Sequence, residues 1–186
     1  GAGLCRYRQD SFRHVTGKEG LSDQRIWRIA EARDGSTVWL ATDKGVNGYD
    51  GRSFTHLPVL SATGKDQIHS VYVAKDGTLW IGTATAGIYH YDGARRTHVV
   101  PEDGASFGRV WSFAEDSEGG LWIGSATGAV RWDGTFFTRP AELQNSAFYD
   151  LTAGPDGAVW FARRKGGVLR LSGRSLTRLD PAGPIG

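Results

Sequence analysis

The chain has 186 residues, of which 39% are hydrophobic and 11% aromatic, enough apolar surface for a packed core and too much for a disordered chain. Its net charge is +2, with 22 basic and 20 acidic side chains interspersed, which excludes a polyanion-binding stripe and makes nucleic acid an unexpected partner. A single cysteine, Cys5, forbids an internal disulfide, and no cysteine/histidine spacing forms a zinc motif. No apolar run approaches the roughly 18 residues of a membrane span, so no membrane contact is expected of this segment.

Taken in order, the chain opens with GLCRYRQDSFRHV from Gly3, which aligns with GVNGYDGRSFTHL from Gly45. Residues 3–15 therefore read as the outer half of a repeat unit. Four fuller units follow, beginning at Ala32, Ala74, Asp116 and Gly154 with an aspartate/glycine turn, then a tryptophan strand, then a second glycine turn. The tryptophans Trp39, Trp80, Trp122 and Trp160 are spaced by 41, 42 and 38 residues. The glycines Gly45, Gly87, Gly128 and Gly167 are spaced by 42, 41 and 39. A start in mid-unit, the closing DPAGPIG and the lack of methionine lead us to expect a segment of a longer protein.

Within a unit, RVWSFAED from Arg109 and LWIGS from Leu121 are apolar runs rich in β-branched and aromatic residues, read as strands buried on two faces. AVRW from Ala129 meets FFTR from Phe136 across Asp133-Gly134, favoured chemistry for a tight hairpin. Each unit is thus a four-stranded antiparallel meander. Units of about 40 residues with four strands predict an all-β fold of β-propeller blades. An antiparallel sandwich would not require glycine and tryptophan to recur at a fixed interval. The expected blades are residues 25–57, 67–99, 109–139 and 147–179 of a single 1–186 segment, four complete blades and a half-blade belonging to a larger ring.

Most polar residues have an ordinary explanation in this frame. His14, His56 and His98 share a place in successive fourth strands, too far out to gather around one metal ion. Asp34, Asp76 and Asp156, and Asp50, Asp92 and Asp133, precede turn glycines. His90 reads as surface without an acidic partner. The second-strand tryptophans are expected to pack between blades.

One set converges. Trp27, His69, Trp111 and Tyr149 occupy the same place near the start of the innermost strand, preceded by Arg25, Gln67, Arg109 and Ala147. Starts of innermost strands gather at the mouth of a propeller channel. Aromatic rings with Arg25 and Arg109 there could stack on sugar faces or clamp an anionic group, and the competing reading is packing between blades. Arg28 and Asp150 stand where other units hold Ser70 and Ser112, which predicts unit-specific polar contacts. No G-x-S-x-G elbow, phosphate loop or H-E-x-x-H motif is present, so no catalytic residue, metal or cofactor is assigned.

The units Ile68-His69-Ser70-Val71 with Asp76-Gly77-Thr78-Leu79-Trp80-Ile81-Gly82-Thr83, and Val110-Trp111-Ser112-Phe113 with Leu121-Trp122-Ile123-Gly124-Ser125, resemble the two-component regulator propeller repeat. That resemblance implies the extracytoplasmic (periplasmic) sensor region of a hybrid histidine kinase. The segment would be non-catalytic, would bind a small molecule or oligosaccharide, and would pass its signal to downstream domains of the parent chain. Gly154-Pro155-Asp156-Gly157-Ala158-Val159-Trp160-Phe161-Ala162 instead looks like repeats of streptogramin lyase, which keeps a metal-dependent enzyme as an alternative reading. A protein-interaction scaffold using loops 58–66 or 101–108 is another. Bare blade faces would also favour self-association.

Overall fold

The computed structural model describes residues 3–57 and 67–179, which fall in two compact units, Gly1–Val99 and Val100–Gly186. Among the described residues the fold is all-β, with two short 3-10 turns, at Gly17–Glu19 and Ala141–Leu143.

The first unit opens with a hairpin of β1 (Leu4–Arg8) and β2 (Ser11–Val15). Two meanders follow. The first is β3 (Ile26–Glu31), β4 (Val38–Thr42), β5 (Gly45–Tyr49) and β6 (Phe54–Leu57). The second is β7 (Ile68–Val73), β8 (Leu79–Thr83), β9 (Ile88–Tyr91) and β10 (Arg96–Val99). The second unit holds β11 (Val110–Glu115), β12 (Leu121–Ser125), β13 (Ala129–Trp132) and β14 (Phe137–Thr138). Its other sheet is β15 (Phe148–Ala153), β16 (Val159–Arg163), β17 (Val168–Ser172) and β18 (Ser175–Leu179). In all four meanders the spatial order follows the chain order, and every pairing is antiparallel.

The sequence chemistry accounts for this regularity. Asp50, Asp92 and Asp133 each accept amide hydrogen bonds from the residues two and three ahead, closing the outer hairpins. Those bonds hold the three carboxyls below the usual carboxylate range. Neighbouring sheets within a unit then share a core. In the first unit Ala41 and Val46 meet Ile68, Val71 and Ile81. In the second, Trp122 joins Phe148, Leu151 and Phe161, with the Trp122 and Phe161 rings edge to face at 5.1 Å.

The connections also bury apolar anchors. Leu21, Phe107 and Leu143, one in each described segment that leads into a meander, are 4%, 2% and 1% exposed. Phe107 packs against Phe137 at 5.5 Å, and Leu143 shares a cluster with Leu171 and Leu176. Each anchor lies over the outer hairpin of the meander it precedes.

Candidate functional site

All four innermost strands carry the same irregularity. The pairing register skips one residue between Ile26 and Arg28, Ile68 and Ser70, Val110 and Ser112, and Phe148 and Asp150. The skipped residues are Trp27, His69, Trp111 and Tyr149. A bulge leaves its residue outside the ladder and re-aims the side chain, so four unusual side chains arise from one repeated backbone feature. All four carry rings, which a regular, fully buried strand position would sequester. Instead Trp27 is 44% and Tyr149 46% exposed, and Trp111 is partly exposed, while His69 is buried.

In the first unit the Trp27 and His69 rings lie 4.4 Å apart at 40°. The Trp27 indole donates a 2.6 Å hydrogen bond to Asp43, which also holds Arg25 in a 3.0 Å ion pair. Arg25 in turn sits 5.9 Å from the centre of the Trp27 ring. Asp23 caps this end by accepting from the Arg25 amide and pairing with Lys44 at 3.6 Å. Asp43 and Asp23 were not singled out in the sequence. Their signal was present, since Asp43 stands in the turn where the other units hold Ala84, Ala126 and Arg164.

In the second unit Trp111 and Tyr149 meet edge to face at 4.7 Å. Arg109 is exposed, and its carbonyl accepts from the Ala126 amide, tying the start of β11 to the turn after β12. The expected unit-specific contact exists here: Ser112 donates to Asp150 at 2.7 Å and accepts from the Leu151 amide. The six sequence-selected residues thus form two aromatic pairs, one in each unit, with Arg25 stacked on the first and Arg109 at the entry of the strand that carries the second. Loop 58–66 lies outside the described residues.

The second unit also contains a cavity of about 600 Å³ that the sequence did not announce. It is lined by Asp116, Trp122, Arg131, Glu142, Leu143 and Arg174 among others. Asp116 replaces the Ala32, Ala74 and Gly154 of the other units. It accepts from the Gly120 amide, the Trp122 indole at 3.0 Å and Arg131 at 2.6 Å. Burial opposes its charge, but the Arg131 hydrogen bonds, the Gly120 amide and the Trp122 indole outweigh that and hold the carboxyl below its usual range. The same carboxylate raises the Arg131 pKa.

Arg131 stands opposite Trp122 in the ladder, as His90 stands opposite Trp80 and Arg170 opposite Trp160. Arg170 reaches Asp156 at 2.6 Å. His90 corrects the sequence reading: it does have acidic neighbours, because it acts electrostatically on Asp76 and Asp92 and its ring lies 4.7 Å from Trp80. A base opposite the tryptophan and beside the turn aspartate is therefore a recurrent structural device.

Among the described residues no three metal-ligating side chains lie close enough to hold an ion, and no helix is long and apolar enough to cross a membrane.

Comparison with known proteins agrees with this geometry. The model of the two-component regulator propeller family matches residues 20–44, 64–85 and 104–127, covering the innermost strand and tryptophan strand of the first three full units. The fourth unit, whose sequence departs from the pattern, is outside those matches. No curated protein sequence matches the chain. Among solved structures, the extracellular domain of BT3049 of B. thetaiotaomicron, described as a hybrid two-component system, aligns over 98% of this chain with a TM-score of 0.80 at 21% identity. PorZ, a surface component of the type-IX secretion system of Porphyromonas gingivalis, aligns over 96% with a TM-score of 0.72 at 17% identity. Virginiamycin B lyase from Staphylococcus aureus aligns over 96% with a TM-score of 0.74 at 13% identity. The chain spans 26%, 31% and 63% of those three structures, so the likeness is one of fold. Three segments of the chain thus match the two-component regulator propeller repeat, and its four-stranded meanders are similar in fold to the extracellular domains of two-component systems.

Proposed function

We propose that this chain is a non-catalytic ligand-sensing segment of the extracytoplasmic region of a two-component sensor, recognising an oligosaccharide or related planar-faced small molecule and signalling to further domains of its parent protein. The observation that carries this reading is the repeated bulge, which places Trp27, His69, Trp111 and Tyr149 outside the ladder at one register in every full unit. Exposed indole and phenol rings flanked by arginine are suited to stacking on sugar faces while donating hydrogen bonds to their hydroxyls. Resemblance to sensor regions supports the same role, and fold alone does not decide it.

The test is thermal-shift screening against oligosaccharides and divalent metals, repeated with Trp27→Ala and Trp111→Ala. A ligand bound only to the folded chain at about 100 times its Kd stabilises by about 2.7 kcal/mol, a rise of roughly 5–10 °C for a chain of this size. A sugar-specific rise lost in the variants is expected. A rise with divalent metal alone, accompanied by turnover of a streptogramin, would overturn the sensor reading in favour of a lyase.

A further inference from the structure

Among the described residues, those lining the cavity of the second unit all fall between Asp116 and Leu176, on two complete meanders and the connection that joins them. Its volume of about 600 Å³ lies within the roughly 300–1,000 Å³ of small-molecule sites. The sequence explains why it stands open. In the first unit Arg33 reaches across to the following meander and donates to the Val73 and Ala74 carbonyls at 3.2 Å. Ser117 holds the place of Arg33 in the repeat that begins at Asp116. Its short side chain reaches only Gly157, where an added Cβ would lie 2.9 Å from the Ser117 Cβ. Asp116 also draws Arg131 back, so that the guanidinium fills the space a side chain on Gly120 would need.

The lining offers three kinds of surface. Trp122, Leu143 and Val159 are apolar and 3%, 1% and 1% exposed, and Leu176 beside them is half-buried. Positive charge comes from Arg131 and Arg174. Asp116 and Glu118 take the Nε and Nη2 donors of Arg131, which fixes the guanidinium and leaves Nη1 without a partner among the described residues. Arg174 is exposed and makes no hydrogen bond or ion pair among them. Negative charge comes from Glu118, whose side chain stays 76% exposed beside Arg131, and from Glu142, exposed in the 3-10 turn. A guanidinium already held in place is a preorganised donor to a carboxylate. The three carboxylates outnumber the two arginines, however, so a simple anion meets a surplus of like charge. A simple cation leaves the arginine donors unused. A zwitterion satisfies both.

We infer that this cavity binds a zwitterion with an apolar body, namely an apolar amino acid or a di- or tripeptide of such residues. Its carboxylate engages Arg174 and the Nη1 donors of Arg131, its ammonium faces Glu142 and Glu118, and its side chains pack on Leu143, Val159 and Leu176. Asp116 follows the end of β11, whereas Trp111 stands at its start, so this site is separate from the rings of the repeated bulge. The inference does not depend on the sugar-sensing reading.

Isothermal titration calorimetry of the 186-residue chain with L-leucine and L-leucyl-L-leucine, run at two temperatures, tests it. Binding of either is expected, and tighter binding of the dipeptide would identify a peptide as the ligand. N-acetyl-L-leucine lacks the ammonium and L-leucinamide the carboxylate. Each should bind about tenfold or more weakly than leucine, as expected for the loss of a charge-assisted hydrogen bond. Arg174→Ala should weaken binding by a similar factor, and because Arg174 is exposed the fold survives its loss. Ser117→Arg, which restores the spanning side chain of the first unit, should abolish binding without lowering the melting temperature. No binding of either ligand at millimolar concentration, a derivative that binds as well as leucine, or binding that survives both substitutions overturns the inference.

Discussion

Asp116 shows how one residue can differ from its repeat equivalents and become structural. Alanine or glycine at that place in the other units needs only to fit the turn, whereas Asp116 gathers the Trp122 indole, the Arg131 guanidinium and two turn amides. Asp116→Ala would leave the buried Trp122 indole N–H without its acceptor and Arg131 with Glu118 as its remaining carboxylate partner, a loss of about 2–3 kcal/mol readable in urea unfolding. The pH dependence follows from the same contacts. The folded carboxyl titrates below its unfolded value of about 3.9. Its stabilisation is therefore complete above that value and is lost as pH falls through the lower, folded one. Acid unfolding below about pH 4 should become shallower in Asp116→Asn, and an unchanged acid limb would show that other carboxylates dominate.

At the scale of elements, β12 depends on how closely its neighbour approaches. A Cβ on Gly124 of β12 would lie 2.3 Å from Leu151 Cδ1 and 3.1 Å from the Phe148 carbonyl oxygen, both on β15. Leu151 can rotate away, but the backbone of β15 cannot. Gly124→Val should therefore cost about 2–4 kcal/mol as an overpacked core substitution. Limited proteolysis should find the new cleavages between residues 100 and 179 and leave the first unit's pattern unchanged. The bulges act at the same scale: in β7 and β11 the residues beside the bulge, Ile68 and Ser70 and Val110 and Ser112, are buried, so the skipped residue is set apart from the pairing that carries them.

For the whole molecule, uncovered apolar surface is the deciding quantity. Strand β3 exposes Trp27 and Ile29, the latter at 54%, whereas β7 buries five of its six residues. Such a face favours association. Sedimentation of residues 1–186 should show concentration-dependent growth that Ile29→Asp suppresses, and a monomer at all concentrations would remove the expectation.

The sequence by itself determined the blade class, the strand order and the turn chemistry, because those depend on local periods: a tryptophan and a glycine at fixed intervals, and aspartate/glycine pairs at hairpins. It also located Trp27, His69, Trp111 and Tyr149 at one register. Tertiary structure decided what that register means. A bulge is invisible in a run such as Val110-Trp111-Ser112, since it appears only when the opposing strand pairs on either side of the skipped residue. The cavity around Asp116 and Arg131 and the acidic surroundings of His90 likewise arise from side chains far apart in sequence. Local chemistry fixes each hairpin, whereas burial and electrostatics are properties of what packs against it.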